Sequence, residues 1–215
     1  MDVPLPILND VEIRVLGALI EKSKATPEYY PMTLHALTAA CNQKTSRYPV
    51  VQYDEETVVM ALNNLKRIGL TSTATGGTNR VTKYKHNIAI VFPINLADVA
   101  ILCLLFLRGP QTPGELNTNS GRLYEFESIE EVQTVLDKLS HNELPFVKQL
   151  PRRAGQKEMR YIHLFTDSTN WEIETSPEEP ARKSVSELEA RLATVEQELS
   201  EVKEKLGKLL KELNG

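Results

Sequence analysis

The sequence predicts a mainly α chain with small β-hairpins, an α+β class, in which one helix–helix–helix–hairpin unit is built twice and a coiled-coil helix follows. Three observations carry this expectation. Helical apolar periodicity falls into two groups of three segments. Each group is closed by two β-prone runs around a turn. A heptad seam then begins at Val185. Three helices followed by a hairpin is the winged-helix order. The expected architecture is therefore two winged-helix domains in tandem, residues 1–94 and 95–170, a linker 171–183, and a coiled-coil tail 184–215.

In the first group a helix opens near Asp10–Lys22, where Asn9 and Glu12 have capping-box spacing and Ile13, Leu16, Leu19 and Ile20 form an apolar stripe. A second helix follows near Thr33–Cys41, with Leu34, Leu37 and Ala40 on one face. A third runs about Asp54–Ile68, with Val58, Ala61, Leu62, Leu65 and Ile68 inward. The β-prone runs around Gly76-Gly77 read as a hairpin.

The second group repeats that order. Its first helix is about Leu96–Leu107. A short second helix spans about Thr112–Thr118, with Thr112 as cap and Pro113 at the first helical position. The third is about Ser128–Asn142, with Ser128 and Glu131 at capping-box spacing. The hairpin lies within residues 146–165.

Self-similarity supports duplication. Leu16–Glu28 aligns with Leu102–Gly114 at an offset of 86, and Leu62–Leu70 with Leu136–Leu144 at 74. The twelve-residue difference is extra length in the first copy, for which Asn42–Tyr53 is the natural place.

The tail repeats apolar residues at alternating spacings of three and four: Val185, Leu188, Leu192, Val195, Leu199, Val202, Leu206, Leu209 and Leu213. That seam predicts a homodimer. With Val185 at position a, a parallel pair sets Arg191 against Glu196 and Glu198 against Lys203, each attraction contributing a few tenths of a kcal/mol. A helix folded back on its own domain is the alternative.

Composition limits the function. Hydrophobic residues make up 41% and charged residues 25%, as in an ordinary globular protein, and the net charge is −4. Residues 1–94 carry 10 basic and 8 acidic side chains, 95–170 carry 8 and 10, and 171–215 carry 7 and 11. Any nucleic-acid contact must therefore come from local basic patches. The start of the chain lacks the pattern of a secretion signal, and the longest apolar run, Val99–Leu107, is short of the ~20 residues that span a bilayer, so a cytoplasmic protein is expected. Cys41 and Cys103 lie in apolar helical patterns and read as buried thiols.

No catalytic or metal constellation emerges. His35, His86, His141 and His163 are scattered without ligand spacing, and Gly76–Thr78 lacks the Lys-Ser/Thr of a phosphate loop. The expectation is a non-enzymatic protein without cofactor or metal. The first hairpin carries Arg80, Lys83 and Lys85; the second carries Lys148, Arg152, Arg153, Lys157 and Arg160. The segment after the second helix adds Asn42, Gln43, Lys44 and Arg47. Such groups suit phosphate contacts and base edges, although surface hairpins are often basic without binding anything. Both third helices begin acidic, Asp54-Glu55-Glu56 and Glu130-Glu131, which argues against conventional major-groove reading.

The strings TPEYYP (Thr26–Pro31), ACNQKTSRYPV (Ala40–Val50), NRVTKYKH (Asn79–His86) and LRGPQTPGELNTNSGRLYEF (Leu107–Phe126) resemble the YceH family of uncharacterised bacterial proteins, over roughly residues 8–170. The resemblance implies tandem winged-helix domains and brings no assigned activity. The polar string CNQKTSR is either a functional surface or a capping and turn segment. Two functions stand open. One is a DNA-associated, transcription-regulator-like protein with basic wings on the phosphate backbone of double-stranded DNA. The other is a protein-interaction scaffold without nucleic-acid binding.

Overall fold

A computed structural model describes residues 5–74, 81–152 and 158–167. The first helix, α1 (Asp10–Ala25), is closed by the expected box: Asn9 Oδ1 accepts from the Glu12 amide, and Glu12 Oε2 from the Asn9 amide, both at 3.0 Å. Next come β1 (Met32–Thr33), α2 (Leu34–Cys41) capped by Thr33, and α3 (Glu55–Arg67) capped by Asp54. Strands β2 (Thr71–Ala74) and β3 (Lys83–His86) complete an antiparallel sheet in the order β1-β3-β2. A single turn, α4 (Ile88–Val91), leads to α5 (Leu96–Arg108), α6 (Pro113–Ser120) and α7 (Ile129–His141). Strands β4 (Val147–Gln149) and β5 (Tyr161–His163) pair antiparallel, and Gln111 bridges to the outer edge of β5.

The chain is thus α+β, and the order helix, helix, helix, hairpin occurs twice among the described residues. Caps mark the equivalent positions. Asn95 and Asp98 form the same box on α5 that Asn9 and Glu12 form on α1. Thr112 caps α6 as Thr33 caps α2, and Ser128 caps α7 as Asp54 caps α3. Met32 pairs with Tyr84 as Gln111 pairs with Tyr161, and His86 and His163 end the corresponding strands.

These caps correct the sequence alignment. Thr26-Pro27 is not the counterpart of Thr112-Pro113: Thr26 ends α1 and Pro27–Tyr29 is one 3-10 turn. The extra length of the first copy is therefore split. Seven residues precede the second cap, and five lie between the second and third caps, where Asn42–Tyr53 was expected to hold all twelve. The box at Ser128 is half formed. Its hydroxyl accepts from the Glu131 amide, but Glu131 turns its carboxylate to the Glu127 amide and the Tyr124 hydroxyl.

Helices α1 and α5 are central. Ile13–Ile20 and Ala97–Leu107 are buried on every face, beyond the single stripe that an amphipathic helix needs. The reason is that α1 packs on α2 and α3 and also on α5. A Cβ on Gly17 would stand 2.9 Å from Leu107 Cδ2 and 3.0 Å from Phe106 Cβ, so the missing side chain permits the approach. Cys103 Sγ meets the Gly17 carbonyl at 3.5 Å. Both copies feed one apolar core running from Leu8 to Phe165. Cys41 and Cys103 are buried free thiols as expected, and burial pushes Cys41 up to about 12. None of the described helices is long and apolar enough to cross a membrane. The linker 171–183 and the heptad residues Val185–Leu213 lie outside the described residues.

Replacing Gly17 with Val should overpack this crossing and destabilise the fold by about 1–3 kcal/mol. A lowered urea midpoint at unchanged slope is the expected result.

Candidate nucleic-acid interface

The residues singled out in the sequence meet different fates. Lys83 and Lys85 lie on β3, whose register fixes their direction. Lys83 sits opposite Thr33 and Ala74, and Lys85 opposite Ser72. The alternate residues Tyr84 and His86 face inward with buried Met32 and Thr71. By the two-residue period of a strand, both lysines leave the outer face, about 7 Å apart. Neither has a carboxylate partner among the described residues.

The inner face is held hard. The His86 amide donates to the Tyr30 hydroxyl at 2.7 Å, and His86 Nε2 lies 3.1 Å from Ser23 Oγ. Burial pushes the Tyr30 phenol up to about 12, which keeps it protonated. His86 is pulled down to about 4 by burial, with Lys24 adding repulsion, and His163 to about 3 by burial.

The segment 42–53 is mostly scaffold. Arg47 was expected on phosphate; instead its side chain is fully buried. It donates to both Glu21 oxygens at 3.0 and 2.6 Å, to the Ala40 and Ser46 carbonyls, and to Gln43 Oε1. Desolvation without those partners would be costly, so they account for its position. Asn42 exchanges two hydrogen bonds with the backbone of Tyr53, at 2.7 and 2.8 Å. Sequence reasoning missed Arg14, which is 3% exposed and donates to the Cys41 and Pro49 carbonyls. A lone Arg within an apolar helix was the available signal. Lys44 is exposed.

In the second hairpin Arg160 is occupied by the Pro110 carbonyl at 2.8 Å and Glu115 at 2.9 Å. Arg152 is exposed and Lys148 half-buried. Arg80, Arg153 and Lys157 lie outside the described residues. Between α7 and the β4–β5 pair runs an open groove of about 490 Å³, bordered by Asp137, His141 and Lys148. There Gln133 and Gln149 both donate to the Tyr161 hydroxyl, at 2.8 and 3.1 Å.

A family profile described as "Protein of unknown function, DUF480" matches residues 8–156. The chain belongs to this family. Relatives agree. A UPF0502 protein of Opitutus terrae is 45% identical over 196 residues, covering 90% of this chain and 85% of its own. One of Shewanella halifaxensis is 42% identical over 211 residues, covering 94% and 98%. A third, of Shewanella baltica, is 46% identical over 185 residues, covering 84% and 82%. The DUF480 match runs from before α1 to beyond β4 and ends ahead of β5.

The two inward histidines set a pH dependence. Unfolded, each takes a proton near pH 6.5; folded, His86 waits until about 4 and His163 until about 3. Between those limits the unfolded chain binds more protons, so stability is full above pH 6.5 and falls as pH drops through this window. Urea midpoints should decline between pH 7 and pH 5. A His86→Asn, His163→Asn double variant should lose that slope, and a flat wild-type profile would contradict the account.

Proposed function

We propose that the protein is a DNA-associated, regulator-like binding protein without enzymatic activity, made of two winged-helix domains in tandem. It holds duplex DNA by its phosphates through the outward face of the first hairpin. The observation that carries this reading is the placement of Lys83 and Lys85, side by side on the face of β3 turned away from the core and free of carboxylates among the described residues. Net charge of −4 means that the attraction is local, so binding is weak beyond the contact patch and falls steeply with salt. The heptad seam from Val185 to Leu213 makes the chain a homodimer, which doubles the number of wings offered to one duplex.

A gel-shift series with random-sequence duplex at low and moderate salt tests the reading. Wild type shifts at low salt, and the Lys83→Glu, Lys85→Glu variant loses at least ten-fold in affinity. Absence of any wild-type shift at low salt transfers the case to the second reading, a protein-interaction scaffold. That reading is favoured by the groove beside α7, with its paired glutamines on Tyr161. For the tail, removal of the residues after Pro180 should halve the mass in solution, measured by light scattering; an unchanged mass defeats the dimer.

A further inference from the structure

We propose that α3 of the first copy reads base edges through Met60 and Asn63, with Arg67 on a flanking phosphate, and that α7 of the second copy does not read DNA. This rests on the DNA-binding reading and deepens it from backbone attachment to sequence preference.

The outward stripe of α3 is Glu56, Met60, Asn63 and Arg67, at helical spacings of four, three and four, opposite buried Val58, Ala61, Leu62 and Leu65. Met60 is 64% exposed, an apolar side chain in the middle of the stripe. Asn63 and Arg67 make no side-chain hydrogen bond or ion pair among the described residues. Their chemistry matches the major groove: Asn to the paired donor and acceptor of adenine, an apolar group to the thymine methyl, Glu to the cytosine amine.

Two of the three carboxylates at the start of α3, which argued against reading, have partners within the fold. Asp54 is the N-cap and accepts from the Thr57 amide at 2.8 Å. Glu55 faces His35 at 3.1 Å. Only Glu56 remains on the outward stripe.

The second copy has the same geometry with different groups. The corresponding stripe of α7 is Glu130, Thr134, Asp137 and His141, with two carboxylates where a phosphate-lined groove would pass. Its hairpin differs too. Arg160 and Ile162 stand where Lys83 and Lys85 stand, but Arg160 is paired with Glu115 and Ile162 is fully buried.

Selection of bound duplexes from a randomised library, followed by titration of the enriched sequence, tests this with the full chain. Wild type should enrich a motif. Asn63→Ala and Met60→Ala should each relax preference at one position by roughly ten-fold. Arg67→Ala should weaken all sequences alike and reduce the salt slope by about one. Asp137→Ala should leave the motif unchanged. All four sites are exposed, so melting temperatures should stay at the wild-type value. Binding without a motif, or a motif unaltered by the Met60 and Asn63 changes, overturns the inference while leaving the wing reading intact. A motif altered by Asp137→Ala overturns the division between copies. No binding by wild type at any salt overturns both.

Discussion

The approach of α1 to α5 at Gly17 is the constraint on which the other arrangements depend. Gly17 and Cys103 are equivalent positions of the two copies, and they meet each other. Each helix therefore supplies the same part of its surface to the contact, the pattern of a two-fold interface formed within one chain. A Cβ at Gly17 would come within 3.0 Å of both Leu107 and Phe106, so the crossing would have to shift to admit it. Because α1 also carries α2 and α3, the position of the first sheet follows from the same contact.

The polar string after α2 is explained by this crossing. Its backbone is tied to the end of α5, where the Tyr48 amide donates to the Leu107 carbonyl at 2.8 Å and Arg108 reaches the Ser46 hydroxyl at 2.9 Å. Arg14 and Arg47 place positive charge on the last carbonyls of α2, the end where a helix carries partial negative charge. Arg47 also neutralises Glu21 of α1. A segment that looks like a nucleic-acid loop in composition is thus a clasp between the copies. Part of Leu107–Phe126 is likewise committed to the fold, within the second copy: Gln111 donates to the Leu104 carbonyl and accepts from Asn119.

The copies differ in what each leaves uncommitted. The two hairpins share a register, yet the first leaves its outer lysines unpaired among the described residues while the second turns its arginine onto Glu115. A duplicated scaffold preserves direction, because strand period and helix caps are set by backbone geometry. It does not preserve chemistry: Lys85 is exposed, and Ile162, its counterpart, is fully buried.

Local patterns were legible in the sequence because local physics determines them. Capping residues placed α1, α6 and α7 to within a few residues, since a cap satisfies amides only three positions away, and apolar periodicity placed α2 and α3. The two-residue period put Lys83 and Lys85 on one face. Which face was outward required the partner: Met32 on a two-residue strand, invisible to periodicity at that length, and Tyr30 holding the His86 amide. The roles of Arg14, Asn42 and Arg47 were likewise decided only in three dimensions, because Pro49, Tyr53 and Glu21, to which they bind, lie thirty-five, eleven and twenty-six positions away in the chain. A charge far from its partner in sequence reads as a surface group until the fold brings the carbonyl or carboxylate to it.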